Sequence, residues 1–301
     1  MSESSSFVDF VQEHSDYRFG LVKPGGNHGD RLIYEGTRTV FDQTGVSLTN
    51  KPYYHPEKRV SYLVRRELNE KLMNTTGPLF CTPDLGNVDI VGIHGGANVN
   101  DLWGHGIDVL RTLLDQYPNR PLVVLPHTFW FTRTNFANIL AGTSQPIHLF
   151  CRESYSYSLL DALELPENVS IYRSDDTAFH LDGASLREQA NSIDADPGYD
   201  LLGFRDDRES VVPRSEVERL RQSSDRYVEG DISSKSDYDY GTFLALVDQA
   251  DTVYTDRLHV GILSHLLETS AVLYENAYFK TRGVYRYSLE DSEYVTFESA
   301  I

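Results

Sequence analysis

The sequence has few of the features that mark secreted or membrane proteins. Its two cysteines, Cys81 and Cys151, cannot build a disulfide framework and lie in no CxxC or Cys/His cluster, so we expect free buried thiols and no metal site. No run approaches the roughly 18 apolar residues that a membrane helix needs. The first residues also lack the basic and apolar regions of a signal peptide. We expect a cytoplasmic protein, with peripheral attachment to the inner face of the membrane as an alternative.

Positive charge is also scarce. Lysine and arginine total 27 against 45 aspartates and glutamates, which gives a formal net charge of −18. Such a surface repels nucleic acid and anionic lipid, and it suits a high-salt cytosol, so we expect a halophilic source and no nucleic-acid partner. An anionic ligand would have to be bound by a few well-placed cations. The chain offers few lysines for this role: Lys23, Lys51, Lys58, Lys71, Lys235 and Lys280.

Short β-branched segments alternate with amphipathic segments along the 301 residues. This pattern predicts an α/β fold with parallel sheets, here two Rossmann-like doubly wound domains facing a cleft. We place the domains at 1–182 and 183–301, with a polar linker at 182–198 and a C-terminal segment that docks back onto the body. The predicted strands are 19–23, 46–48, 88–93, 121–125, 147–150, 169–172, 200–204, 252–254 and 271–274. The predicted helices include 57–73, 101–117, 213–222, 240–249 and 257–268.

Two glycine-rich loops follow predicted strands. In the first, Asn27 and Asp30 stand where a helix begins, so this loop is either a ligand site or a tight turn with Asp30 near the helix start. In the second, at residues 94–98, His94 opens the loop and Asn98 closes it. Asn98 could bind a sugar hydroxyl or cap the next helix, and the sequence leaves both interpretations open.

Three cations also follow predicted strands. Arg152 could pair with Glu153 or bind an anion. In residues 255–259, Asp256 is predicted to cap a helix whose first turn carries Arg257 and His259, and an arginine fork with a titratable imidazole suits an anionic ligand. The alternative is a capped helix with a buried histidine. Lys280 is a candidate third cation, although a solvated loop lysine fits equally.

The ordered set of motifs resembles the polysaccharide pyruvyl transferase family. The resemblance covers roughly residues 22 to 284, and its motifs are Gly26-Asn27-x-Gly29-Asp30, Leu125-Pro126-x-Thr128, Arg152-Glu153-x-x-Ser156, Asp176-x-Ala178-Phe179 and Asp256-Arg257-Leu258-His259. His127 departs from the pattern, because a glutamine is more usual there.

This resemblance implies a GT-B-like fold and an enzyme that moves pyruvate from phosphoenolpyruvate onto two hydroxyls of a sugar as a ketal. The acceptor is a sugar of a cell-surface polysaccharide or glycan precursor, and the sequence leaves open whether it is lipid-linked or nucleotide-linked. Phosphoenolpyruvate is expected as a co-substrate, without other cofactors. It implies donor binding by Arg152, Arg257 and Lys280, and catalysis by His259 and Arg257. Asn27, Asp30, His94 and Asn98 remain acceptor or loop candidates, with the first domain on the acceptor side and the second on the donor side. The alternatives are a GT-B glycosyltransferase that uses a nucleotide sugar and a non-catalytic glycan-binding protein.

Overall fold

The computed structural model describes residues 6–52, 84–193 and 198–299 of the chain. These residues form two compact units. The first comprises the described parts of Met1–Gly25 and Thr37–Asp175, and the second comprises those of Gly26–Gly36 and Asp176–Ile301.

The first unit is a parallel six-stranded sheet with strand order β2-β1-β3-β4-β5-β6. Its strands are β1 (Arg18–Lys23), β2 (Ser47–Pro52), β3 (Ile90–Ile93), β4 (Leu122–His127), β5 (Ile147–Cys151) and β6 (Val169–Arg173). Its helices are α1 (Phe7–Glu13), the later part of α2 (His28–Thr44), α3 (His105–Gln116), α4 (Phe136–Leu140) and α5 (Ser154–Asp161). Alternate residues of β4 pack into different apolar clusters, Leu122 and Val124 into one and Val123 and Leu125 into the other, so both faces of the sheet are covered.

The second unit is a parallel five-stranded sheet with strand order β11-β10-β9-β7-β8. Its strands are β7 (Tyr199–Leu202), β8 (Tyr227–Glu229), β9 (Ala250–Thr255), β10 (Ser270–Tyr274) and β11 (Val295–Glu298). Its helices are α6 (Gly183–Gln189), α7 (Arg214–Ser223), α8 (Tyr240–Asp248), α9 (Leu258–Leu266) and α10 (Lys280–Val284), with a 3₁₀ turn at Thr177–His180. The C-terminal segment supplies β11, which pairs with β10 as an edge strand. The predicted fold class, two doubly wound parallel α/β units, is confirmed.

The start of α2 belongs to the second unit. Residues 28–36 of this helix lie in the second unit and residues 37–44 in the first. Leu32 is fully buried and packs in the main core of the second unit, with residues such as Phe243 and Leu263. The second unit therefore includes a segment, residues 26–36, that precedes most of the first unit in the sequence.

Several element boundaries differ from those predicted. Helix α3 begins at His105 rather than at 101, because Asn100 folds a turn onto Leu102 and Trp103 and Gly104 adopts a left-handed conformation. The predicted linker contains α6, which Asp182 caps. Strand β8 was not predicted. The predicted helix at 57–73 lies outside the described residues.

None of the helices in the described part of the chain is both long and apolar enough to cross a membrane.

Candidate active site

The order in which strands are added to the second sheet reverses between β7 and β9. These strands are neighbours, while β8 lies beyond β7 and β10 lies beyond β9. In parallel α/β sheets, ligands bind at the carboxyl ends of the two strands that flank such a reversal. Thr255, at the end of β9, links the two strand ends: its hydroxyl donates to the Gly203 carbonyl at 2.7 Å and accepts from the Arg257 N–H at 3.0 Å. Arg257 is thereby fixed at the reversal point.

Arg257 is buried, with only 8% of its surface exposed. One guanidinium nitrogen, Nη2, donates to Asp231 and lies 3.6 Å from an Asp207 oxygen. Within residues 6–52, 84–193 and 198–299, the Nε–H of Arg257 has no hydrogen-bond acceptor. A buried N–H without an acceptor is costly, so this edge of the guanidinium is suited to bind an anion.

The predicted cap of α9 by Asp256 is wrong. Arg257 occupies the N-cap position and makes no side-chain cap hydrogen bond. The Asp256 carboxylate instead accepts from the Arg205 backbone N–H at 2.9 Å and from Ser210. Burial raises the pKa of Asp256, although Arg205, Ser210 and Arg257 counteract this effect. The Asp256 carboxylate therefore binds a backbone N–H 51 residues away in the sequence, rather than the start of the helix that follows it.

Lys280 joins Arg257 through a buried ionic network. Its ammonium donates to Glu209, which also accepts from Arg205. Arg205 forms a bidentate ion pair with Asp207, with N–O distances of 2.8 and 3.0 Å. Asp207 in turn lies near Arg257. Lys280 is 7% exposed, so the predicted alternative of a solvated loop lysine is wrong. Because several carboxylates neutralise these cations, the network holds their positions without creating a strongly positive field.

His259 lies in the first turn of α9 and packs against Gly29, in the first turn of α2. A Cβ atom added at Gly29 would lie 2.9 Å from the His259 Cβ and 3.1 Å from its Nδ1. On the other side of the ring, Nε2 is 3.2 Å from a carboxylate oxygen of Asp176, which is fully buried. Three motifs from distant parts of the sequence therefore meet within the second unit.

Asn27 and Asp30 cap α2. The Asn27 side-chain oxygen accepts from the N–H groups of Gly29 and Asp30 at 2.8 and 3.3 Å, and an Asp30 oxygen accepts from the Asn27 N–H at 2.9 Å. This geometry matches the tight turn that the sequence left open. A role for either side chain toward an acceptor stays a prediction.

Arg152 belongs to the first unit, at the end of β5. Its side chain is 1% exposed, and Nε donates to the Thr128 hydroxyl at 2.9 Å. The Glu153 carboxylate caps α5 by accepting from Tyr155 and Ser156. Burial raises the pKa of Glu153, while the bonds from Ser156 and Tyr155 and the charge of Arg152 oppose that rise.

His94 and Asn98 lie in the loop after β3, also in the first unit. Burial lowers the pKa of His94 well below its ordinary value, with Lys23 adding to the effect, and His94 Nε2 lies 2.6 Å from the Asn50 side-chain oxygen. Asn98 does not cap α3 with its side chain, because Gly104 holds the N-cap position. The Asn98 backbone carbonyl accepts from the Gly106 N–H at 3.1 Å.

His127 supports this loop. Its Nε2 accepts from the N–H groups of Asn98 and Val99 at 2.9 and 3.0 Å, so the ring proton lies on Nδ1. A glutamine side-chain oxygen could accept the same bonds, which accounts for the departure of His127 from the family pattern.

Sequence reasoning missed four residues of the second-unit site: Arg205, Asp207, Glu209 and Asp231. The dense charge at 205–209, directly after a predicted strand, was an available signal. Among the residues that the structure describes, no group of three or more His, Cys, Asp or Glu side chains is arranged to hold a metal ion.

Comparison with known proteins identifies the family of the chain. The family model for polysaccharide pyruvyl transferase matches residues 27–278, from the α2 cap to the segment before Lys280. The chain belongs to the polysaccharide pyruvyl transferase family. It is therefore a transferase of pyruvyl groups in polysaccharide biosynthesis.

Individual relatives are distant in sequence. The chain is 22% identical to "Putative pyruvyl transferase EpsO" of Bacillus subtilis, over 95% of this chain and 89% of the relative. A crystal structure of an uncharacterized Klebsiella pneumoniae protein superimposes with a TM-score of 0.65, at 22% identity, over 98% of this chain and 97% of the other. A UDP-GlcNAc 2-epimerase of Methanocaldococcus jannaschii gives a TM-score of 0.47 at 11% identity, over 94% and 89% of the two chains. The Klebsiella match shows a shared fold and nothing about substrates.

Proposed function

We propose that this transferase takes its pyruvyl group from phosphoenolpyruvate and attaches it as a ketal to two hydroxyls of one sugar in a polysaccharide or its precursor. The observation that carries the proposal is the buried Arg257 Nε–H, which has no acceptor among the described residues and lies at the reversal point of the second sheet. Phosphoenolpyruvate carries a phosphate and a carboxylate, and an arginine edge binds either with charge-assisted hydrogen bonds.

The proposed reaction has two bond-forming steps. His259 gives a proton to the methylene carbon, and C2 gains oxocarbenium character and bonds to the first sugar oxygen. The second sugar oxygen then bonds to C2 while the C2–O bond to phosphate breaks. One hydroxyl proton restores His259 and the other leaves with phosphate. Positioned proton transfer of this kind contributes about 10²–10⁴-fold to a rate.

Arg257 binds the donor in this proposal, with Lys280 as a further cation of the second unit. The network around Glu209 and Asp207 supports this role because it fixes Lys280 and Arg257 in place before a ligand arrives. The donor role of Arg152, which lies in the first unit, stays a prediction. The second unit is the proposed donor side and the first the acceptor side.

The first test is transfer itself. Purified protein is incubated with phosphoenolpyruvate and a set of hexose acceptors, and both phosphate release and the acceptor mass are measured. We expect phosphate release that depends on the acceptor, together with a product that carries one ketal-linked pyruvate. Thermal stabilisation by nucleotide sugars but not by phosphoenolpyruvate would contradict the proposal and favour a glycosyltransferase.

Arg257→Ala should raise the KM for phosphoenolpyruvate at least ~10-fold, because it removes charge-assisted hydrogen bonds worth about 1.5–3 kcal/mol. Arg257→Lys should restore only part of the affinity, since a lysine lacks the planar fork. The matched control is Arg219→Ala, which removes an equal charge from an exposed pair with Glu216. An unchanged KM in Arg257→Ala would remove Arg257 from the donor site.

A further inference from the structure

The carboxylate of Asp176 makes more contacts than a helix cap requires. One oxygen accepts from the Ala178 N–H at 2.9 Å and so caps the 3₁₀ turn at Thr177–His180. The other oxygen lies 3.2 Å from His259 Nε2, and the residue is fully buried. An asparagine or serine could cap the turn with a single oxygen, so capping alone does not explain a buried carboxylate here.

The backbone on both sides of this pair is held against the start of α2. A Cβ atom added at Gly36 would lie 1.9 Å from the Thr177 carbonyl oxygen, and the Thr177 hydroxyl donates to the Ile33 carbonyl at 3.0 Å. The His259 ring packs against Gly29 on the same helix. Glycine at these two helical positions lets Asp176 and His259 approach from separate segments, so the pair is positioned by close backbone packing.

We propose that Asp176 is the positioning residue for His259. Its carboxylate accepts the Nε2–H, holds the imidazole in the tautomer that carries its proton on Nε2, and stabilises the imidazolium when His259 holds a second proton. The proton exchanged with substrate then belongs to Nδ1, the ring nitrogen on the Gly29 side. The inference rests on the proposed function for its catalytic meaning, but the geometry of the pair can be tested without any substrate.

A buried carboxylate suits this role for electrostatic reasons. Its charge is screened little by solvent, so it acts strongly on a ring 3.2 Å away. The imidazolium in turn compensates the cost of a buried carboxylate. This mutual electrostatic stabilisation is lost when either side chain is neutral. Asp176→Asn, which keeps the shape of the side chain and removes its charge, therefore tests it.

The first experiment reads the tautomer of His259 directly. Protein labelled with ¹⁵N-histidine is compared by NMR as wild type and as Asp176→Asn, with His259→Gln used to assign the signals. Asparagine keeps an oxygen for the Ala178 cap, so the variant is expected to fold. We expect the Nε2-protonated form in wild type and a mixture of tautomers in Asp176→Asn. An identical tautomer in both proteins would overturn the proposal.

Asp182→Asn is the matched control. Asp182 caps the next helix through the Ser185 N–H at 2.8 Å and has the same chemistry as Asp176 without a histidine partner in that contact. This variant should leave the His259 signals unchanged. A similar change in both variants would show that loss of a capping charge, rather than of the Asp176–His259 contact, moves the tautomer, and it would overturn the proposal.

The second experiment is a double-mutant cycle on pyruvyl transfer. Asp176→Asn should lower kcat about 10²-fold with the KM for phosphoenolpyruvate changed less than ~3-fold. In a His259→Gln background, Asp176→Asn should cost nothing further, because Asp176 acts through His259. An equal additional loss in that background would show a structural role and refute the positioning role. If wild-type protein transfers no pyruvate, the proposed function fails, while the NMR comparison still decides the role of Asp176.

Discussion

Gly29 sets how closely His259 can approach the start of α2. Gly29→Ala would place a Cβ atom 2.9 Å from the His259 Cβ and 3.0 Å from the Asn27 side-chain oxygen. A contact this short forces a shift, and overpacking of this kind costs about 1–3 kcal/mol. We expect a lower melting temperature and, because the His259 ring moves, a fall in kcat that exceeds any change in KM.

Gly261→Ala serves as the control for this prediction. Gly261 lies in the same helix as His259, and the nearest atoms to an added Cβ atom would be the two Leu273 methyl groups, at 3.3 and 3.4 Å. It should change kcat little. Equal kcat in Gly29→Ala and wild type would show that the His259 position does not depend on this contact.

Single residues also show where sequence reasoning fails. The position of Arg257 and His259 could be predicted, because both stand where a strand runs into a helix. The role of Asp256 could not, since its partner Arg205 is 51 residues away. The same holds for the contact of His259 with Asp176, across 83 residues. Local rules assign a polar group to its nearest helix end, and tertiary contacts override them.

At the scale of structural elements, Asp101 ties the loop after β3 to the loop after β4. Its carboxylate accepts from the N–H groups of Thr132, Arg133 and Thr134 and from the Thr134 hydroxyl. Partial burial alone would raise the pKa of Asp101, but the Thr134 hydroxyl and these N–H groups outweigh burial and lower it to about 2. The depressed pKa means that the carboxylate stabilises the fold above its ordinary pKa of 3.8 and loses this effect as the pH falls toward 2.

Asp101→Asn should therefore destabilise the protein by about 2 kcal/mol at pH 7, the typical value of a hydrogen bond to a charged group. Denaturant unfolding at several pH values measures the difference from wild type, which should narrow as the pH falls from about 4 to about 2. Asp115→Asn removes the same charge from an exposed position in α3 and should leave stability nearly unchanged. A difference that stayed constant with pH would contradict this account of the Asp101 carboxylate.

Most strands could be predicted because fully buried parallel strands are short β-branched runs, as in β3 and β4. Helix α6 was missed because it buries only Leu186, so it shows little apolar periodicity. Strand β8 has only three residues, two of them exposed, and so resembles a loop in sequence. The start of α3 was misplaced because the apolar pattern begins at Leu102, before the helix does. There the Asn100 side chain accepts from the Leu102 N–H and forms a separate turn.

At the scale of the whole molecule, a net charge of −18 predicts a strong response to salt. Self-repulsion between carboxylates is screened within about 10 Å at 0.1 M salt and within about 3 Å at 1 M. We expect the melting temperature to rise between 0.1 and 2 M KCl, with most of the gain at the lower concentrations. A sorbitol series of matched osmolality separates screening from general solute effects, and a melting temperature that falls with KCl would contradict the expected halophilic character.

The division into two parallel α/β units could be predicted from the alternation of strands and helices, but the course of the chain between them could not. The sequence placed residues 26–36 with the segments around them, whereas Leu32 packs in the second-unit core. Membership of a core depends on contacts across more than 200 residues, such as the pair of Tyr240 with Glu35. No local pattern carries that information.

The shared helix α2 limits how this protein can be divided. A fragment that starts at Asp176 would lack Leu32 from its core, Ile33 as the acceptor for Thr177, and Gly29 beside His259. Such a fragment should be insoluble or only partly folded, whereas one that carries residues 26–36 joined to its N-terminus by a flexible linker should fold. Recombination between family members at a single crossover near residue 175 would therefore combine His259 of one protein with the Gly29 segment of another. We expect residues 26–36 and the second unit to be inherited together.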